Sequence, residues 1–240
     1  GALGKRFVDM FSRSGYSVSV LDKQDWPNAG TILADANLAI VTVPIQATVN
    51  VIKSIKGLPK DCILADLTSL KDQPLKAMLD VHDGPVVGLH PMFGPDTQNF
   101  VKQVIVVCHG REPEQYQWLI DQFALWGCLL EFDHAAEHDK SMELIQAMRH
   151  FTTYVYGRFL AKQNPDLNRL LQLSSPIYRL ELAMTGRLFA QNSQLYADII
   201  YSAVDIKQLC ADFLRELESA IADLNCDNKV AFQQEFQAVS

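Results

Sequence analysis

The sequence has no apolar run approaching the roughly 20 residues that a membrane helix needs. It opens without the charged-then-apolar pattern of a secretory leader. A Lys/Arg-rich stripe is also missing. Basic residues number 21 against 28 acidic ones, a net charge of -7, and the pI is about 5.3. Nucleic acid and anionic membrane surfaces are therefore not expected as partners. Low-complexity blocks and internal repeats are absent, and a chain with 48% hydrophobic and 20% charged residues is not expected to be disordered. The five cysteines (Cys62, Cys108, Cys128, Cys210 and Cys226) are odd in number and never spaced C-x-x-C. Four of them sit in apolar runs and read as small core residues of a reducing compartment, so the cytoplasm is expected. The G-x-S-x-G elbow of serine hydrolases is missing too.

What is present is a rhythm of strands and helices. The 240 residues suffice for one large domain or two modest ones. Apolar runs at 38–43, 62–67, 86–90, 104–108 and 128–132 read as strands, and an alternating segment at 16–21 reads as another. Between them, helical periodicity is found at 5–14, 29–36, 47–55, 71–81 and 114–126. Such alternation predicts a Rossmann-type, doubly wound parallel sheet over residues 1–132. After about residue 133 the strands stop. A long helix at 134–163 is apolar nearly all round, which predicts burial between other helices or subunits. Helices at 167–173, 177–189, 195–225 and 229–239 complete an all-helical domain over 133–240. The active site is expected in the cleft between the two domains.

The most informative stretch is Val86-Val87-Gly88-Leu89-His90-Pro91-Met92-Phe93-Gly94-Pro95. A buried strand ends at His90, and prolines and a glycine then forbid regular structure. Ligands of open α/β sheets sit beyond the carboxyl ends of the strands. A histidine fixed there is placed to accept a proton from a bound molecule. Two other strand ends face the same crevice. Val43-Pro44-Ile45 offers an apolar surface for a nicotinamide or adenine ring, and Thr68-Ser69-Leu70-Lys71 offers a hydroxyl and an ammonium. Ser69 is able to hydrogen-bond both a substrate hydroxyl and His90, or to cap the helix that follows.

At the amino end, Gly1-Ala2-Leu3-Gly4 opens a helix, and the strand after it ends at Asp22. This is the later half of a dinucleotide-binding fingerprint, with the first glycine and first strand expected to lie outside the sequence. The glycines admit the pyrophosphate and close helix–strand packing, and the carboxylate binds the adenosine ribose. A carboxylate repels a 2′-phosphate, which favours NAD over NADP. The final segment stops without a cap, and truncation is expected there as well. His134-Ala135-Ala136-Glu137-His138 matches the H-x-x-E-H zinc pattern, but it opens a helix directly after a strand, where an acidic first turn is expected anyway, and no metal is expected. Arg179 and Arg187 lie on one helix. Either suits a bidentate grip on a carboxylate or a structural ion pair, Glu181 being one partner for Arg179.

Together with Asp66-Leu67-Thr68-Ser69-Leu70-Lys71, Glu137-His138-Asp139 and the run SSPIYRLELAMTGRLFAQ at 174–191, the His90 stretch closely resembles the prephenate dehydrogenases. Within that family the likeness is to the dehydrogenase part of the bifunctional chorismate mutase–prephenate dehydrogenases, and it spans essentially the whole chain. The resemblance implies NAD-dependent oxidative decarboxylation of prephenate to 4-hydroxyphenylpyruvate in tyrosine biosynthesis. It further implies a homodimer built through the helical domain and feedback inhibition by tyrosine. By position, His90 and Ser69 match the catalytic pair, and Arg187 matches the arginine that binds a substrate carboxylate. His150 and Tyr196 match residues around the substrate side chain, with Lys71 beside them as a substrate-binding cation. Gly1, Leu3, Gly4, Asp22, Val43, Pro44, Ile45 and Ser69 are the expected cofactor contacts. No mutase domain precedes the dehydrogenase here, so mutase activity is not expected. The alternatives are an arogenate dehydrogenase, or a non-catalytic NAD- or tyrosine-sensing dimer.

Overall fold

A computed structural model of the chain describes residues 1–225 and 229–238, so Cys226 lies outside the described residues. Packing divides the chain into two compact units, Gly1–Met142 and Glu143–Ser240.

The first unit is built on five strands: β1 (Leu38–Val41), β2 (Ile63–Asp66), β3 (Val86–Pro91), β4 (Val104–Arg111) and β5 (Leu129–Phe132). They lie side by side in chain order. β1, β2 and β3 run parallel, as expected. β4 does not: it pairs antiparallel with β3, and β5 then runs parallel to β4. The connection explains this departure from a fully parallel sheet. A parallel return needs a crossover, usually a helix, to carry the chain back to the starting edge. The loop between Pro91 and Val104 holds no helix, so the chain turns and comes straight back.

Helices cover both faces. α1 (Ala2–Arg13), α2 (Ala29–Leu33), α3 (Ile45–Ser54), α4 (Asp72–Val81) and α5 (Gln117–Leu125) all belong to this unit. The two-residue period of the strands sends alternate side chains into two cores. Ile63, Ala65, Val87, Leu89, Ile105 and Val107 meet Phe7, Phe11, Phe100, Phe123 and Trp126 on one side. Leu64, Val86, Val106 and Cys108 meet Ile52, Leu75 and Met78 on the other. Burial pushes the Cys108 thiol up to about 12, so it is a packing group and not a nucleophile.

The expected strand at 16–21 does not form. The segment is extended but unpaired, because β1 is the sheet's edge and no described strand lies beyond it. The alternation of apolar residues is a local signal, whereas a strand needs a neighbour to take its backbone hydrogen bonds. Asp22 still closes the segment. Its carboxylate caps the 3₁₀ turn Lys23–Asn28, while Asp25 accepts the Asp22 N–H at 2.9 Å in return.

Helix α6 (Ala135–Met142) also packs with the sheet unit, and the compact units divide after it. The carboxylate of Asp139 on α6 accepts the backbone N–H groups of Lys71 and Asp72 at 2.7 and 2.9 Å. It thereby caps α4 from a distant part of the chain, since Lys71, the N-cap residue, supplies no side-chain cap. Ser69 is not that cap.

The described residues of the second unit form helices and the turns between them. A π-helical segment, Glu143–Met148, leads into α7 (Arg149–Gln163), followed by α8 (Leu167–Leu173), α9 (Pro176–Ala190), α10 (Ser193–Ser202), α11 (Ile206–Asn225) and α12 (Lys229–Ala238). The single helix expected over 195–225 is two helices. The break precedes Ile206, where the Glu143 carboxylate accepts the Asp205 N–H at 3.1 Å and the Asp205 carbonyl accepts from Leu209. The apolar faces of the segment 134–163 are not fully covered by the described residues: Leu144, Ile145, Val155 and Phe159 are all exposed.

Candidate functional site

His90 stands at the carboxyl end of β3, enclosed to 2% exposure. Its Nδ1 lies 2.8 Å from Nε2 of His138 on α6, and the two rings meet edge to face. His138, itself buried, places Nδ1 2.8 Å from Oδ1 of Asp139. The proton positions follow from this order. A carboxylate only accepts, so His138 carries a proton on Nδ1, and in that tautomer of the uncharged ring Nε2 is an acceptor. His90 must then carry its proton on Nδ1, which leaves Nε2 as its basic nitrogen. Burial holds the His90 pKa well below the ordinary imidazole value, with the Lys71 ammonium and His138 adding to the effect. His90 is therefore neutral and competent to accept a proton.

Beneath His90 lies a second buried feature. Lys71 Nζ donates to Asp66 Oδ2 at 2.6 Å and to the Leu89 carbonyl at 2.8 Å. Both side chains of the ion pair are fully enclosed. Burial pushes the Asp66 carboxyl up and the Lys71 ammonium down, and their mutual attraction opposes both shifts. Lys71 thus ties the end of β2 to the residue before His90. It is a correction to its expected role: an enclosed ammonium already held by a carboxylate and a carbonyl is not available to a substrate. His138, and not Ser69, holds the imidazole's Nδ1. Ser69 lies half-buried in the bend after β2.

The residues expected at a dinucleotide are arranged as that ligand requires. A Cβ on Gly4 of α1 would run into Thr42 Oγ1, with Thr42 Cβ at 3.1 Å, so only glycine allows this approach of helix to strand. Gly1 is the N-cap of α1 and supplies no side chain to its first amide groups, which leaves them able to hold a phosphate. Leu3 turns its side chain onto the aromatic core, leaving its backbone for a ligand. Val43 and Ile45 are half-buried and Pro44 exposed at the end of β1, where an apolar ring can lie. The exposed Asp22 follows the extended segment. These groups fit NAD.

The second unit brings together the other expected residues. The His150 ring meets Tyr196 edge to face at 4.8 Å. Burial, then the charges of Arg149 and Arg187, lower the His150 pKa to about 4, so this imidazole is neutral as well. The Tyr196 hydroxyl donates to Gln191. Arg187 is exposed and forms no ion pair among the described residues. Arg179 instead donates from Nε to Ser174 at 3.2 Å and serves the local chain.

The sequence offered His138 within a metal pattern that was set aside, and gave neither His138 nor Asp139 a role of its own. Both ring nitrogens of His138 are engaged by His90 and Asp139. Among the described residues no group of three or more His, Cys, Asp or Glu is placed to hold a metal ion. The available signal was the run Glu137-His138-Asp139 directly after the last strand, where an acidic residue can serve a neighbouring helix end.

Comparison with known proteins bears on both units. Residues 15–126 match the family model described as prephenate dehydrogenase, nucleotide-binding domain. Residues 134–237 match prephenate dehydrogenase, dimerization domain. Over 239 residues the chain is 53% identical to the T-protein of Enterobacter agglomerans, covering all of this chain and 64% of that one. It is 46% identical over 240 residues to the T-protein of Haemophilus influenzae, with the same coverage. The chain thus spans about two thirds of the length of these relatives. The crystal structure of Aquifex aeolicus prephenate dehydrogenase in complex with hydroxyphenyl propionate and NAD+ superposes with a TM-score of 0.69, covering 98% of this chain and 93% of that one. At 13% identity that likeness speaks for the fold alone.

Proposed function

The chain belongs to the prephenate dehydrogenase family, and from that premise we propose that it catalyses the NAD-dependent oxidative decarboxylation of prephenate to 4-hydroxyphenylpyruvate in tyrosine synthesis. The observation that carries this reading is the hydrogen-bonded order Asp139–His138–His90 at the carboxyl ends of the parallel strands. It holds one imidazole neutral with its basic nitrogen assigned. That is what removal of a ring-hydroxyl proton requires.

When bound, NAD+ accepts the hydride from the ring carbon that bears the hydroxyl, and the accompanying loss of carbon dioxide makes the ring aromatic. The chain's own groups do the rest. His90 takes the hydroxyl proton as that oxygen gains carbonyl character, and returns it to the oxygen as loss of carbon dioxide turns the ring into a phenol. His138 and Asp139 keep the imidazole oriented and support the charge it gains. Ser69 hydrogen-bonds the hydroxyl. Gly1, Gly4 and the backbone at Leu3 hold the pyrophosphate, Asp22 the ribose, and Val43, Pro44 and Ile45 a ring of the dinucleotide. Arg187 binds a substrate carboxylate in a bidentate grip. His150, neutral because of burial and its two arginine neighbours, donates its N–H to the side-chain keto oxygen without adding charge. Arogenate carries an ammonium where prephenate carries that keto group. The Arg187 charge felt at His150 disfavours the extra cation, which supports prephenate as the substrate.

The uncovered apolar faces of the helical unit support a homodimer, with a second copy of the chain as their cover. Tyrosine, which shares the phenol ring and a carboxylate with the product, is the proposed feedback inhibitor. Cys62, Cys108, Cys128 and Cys210 are free thiols, and no helix among the described residues is long and apolar enough to cross a membrane. The free thiols support the cytoplasm as the site of action.

The test is an assay with NAD+ and prephenate that follows NADH, carbon dioxide and 4-hydroxyphenylpyruvate together. The expected result is equal amounts of the three, with slower turnover on arogenate. Binding of NAD+ without prephenate-dependent NADH would contradict the reading and leave the sensing dimer in its place.

A further inference from the structure

Two guanidinium groups act on one imidazole in the helical unit, and among the described residues no carboxylate pairs with either. Arg149 opens α7 and precedes His150 in the chain. Its Nη2 reaches α9 and donates to the Met184 thioether at 3.4 Å. A thioether is a weak acceptor, so this contact places the guanidinium without balancing its charge. Met184 and Arg187 are three residues apart on α9 and therefore neighbours on its surface. Arg149 is thus drawn to the same helical turn as Arg187. Neither forms an ion pair among the described residues, and the charges of both are felt at His150.

Like charges gathered without a counter-ion repel, and a ligand with two anionic groups relieves that repulsion. We propose that Arg149 is a second carboxylate-binding residue, which with Arg187 makes a two-point site for a dicarboxylate, one guanidinium to each carboxylate of prephenate. This rests on the prephenate reading above and extends it by naming the second cation. Arginine suits the task because its planar fork gives two parallel N–H···O bonds to a carboxylate. One consequence concerns release. The reaction removes one carboxylate as carbon dioxide, so a single arginine remains to hold 4-hydroxyphenylpyruvate.

The test compares wild type, Arg149→Gln, Arg149→Lys and Arg187→Gln. Calorimetric titration without NAD+ gives affinity for prephenate and for 4-hydroxyphenylpyruvate, and NADH formation gives turnover. Arg149→Gln is expected to weaken prephenate binding about tenfold or more, the loss of a charge-assisted contact, with kcat largely kept. Arg149→Lys should fall between it and wild type. Product affinity should drop in one of the two glutamine variants and stay in the other. A role confined to stabilising the fold would not separate substrate from product in this way. Arg149→Gln binding prephenate as tightly as wild type would overturn the proposal, as would equal loss of product affinity in both glutamine variants. Wild type that binds no prephenate would instead overturn the functional reading itself.

Discussion

The two units solve the problem of burying apolar surface differently. In Gly1–Met142 the strands carry alternate side chains into two cores, and the helices close over both. Ile52, Leu64, Met78 and Phe123 are completely enclosed. In Glu143–Ser240 the apolar stripes of the helices face outward: Phe213, Leu217, Ile221 and Leu224 along α11 are each about half exposed or more. The sheet unit is a finished object within one chain. The helical unit has the form of half an object, and its cover is proposed to be a second copy. The contrast extends to polar groups. The buried Lys71 of the sheet unit is matched inside it by Asp66, whereas Arg149 and Arg187 of the helical unit are exposed and form no ion pair among the described residues.

The comparison can be broken at several points. All three tryptophans (Trp26, Trp118 and Trp126) lie in the sheet unit, so tryptophan fluorescence during urea unfolding reports on that unit alone. Lys71→Met strands the buried Asp66 carboxylate and is expected to cost about 3–5 kcal/mol by that measure. Pairing it with Asp66→Asn should recover most of the loss. A single variant as stable as wild type would show that the pair is not holding β2 to β3.

In the helical unit Phe213→Glu should act on assembly instead. Sedimentation is expected to show dimer dissociation strengthened about tenfold or more, the scale of a buried aromatic anchor. The tryptophan-detected midpoint of the sheet unit should stay unchanged. Dimers as tight as wild type would place the interface elsewhere.

The smallest effect is in acid. Unfolded His90 takes up a proton below about pH 6.5, while the folded protein holds it neutral to lower pH. In that window the unfolded state binds more protons, so stability falls as pH falls, by at most about 1.4 kcal/mol per pH unit for this one group. His90→Asn should remove that component of the slope. For His150 the window runs from about 6.5 down to about 4, and it belongs to the helical unit.

Much of this was legible in the residues. The runs at 38–43, 62–67 and 86–90 are apolar at successive positions because those strands are covered on both faces, and composition alone reveals that. The direction of β4 depends on what connects it, and the helix-free loop after His90 was the clue left unused. The segment 16–21 alternates correctly but lacks a neighbour, which no local pattern records. The helix break before Ile206 has no glycine or proline to announce it; it is made by Glu143, far away in the chain.

At the site, His90 was visible through the stiff turn that follows it. His138 was not, because its role is set by two partners, one of them on a strand distant in sequence. Lys71 misled for a related reason. An ammonium at a strand end reads as a ligand for substrate until the enclosed Asp66 is seen to hold it.

The most direct measurement is steady-state turnover of His90→Asn with NAD+ and prephenate, beside wild type. Asparagine keeps the size and a hydrogen bond but cannot accept the proton. The account predicts a kcat lower by about 10² to 10⁴ with the KM for prephenate nearly unchanged. Turnover equal to wild type would contradict it, because some group other than this imidazole would then be removing the hydroxyl proton.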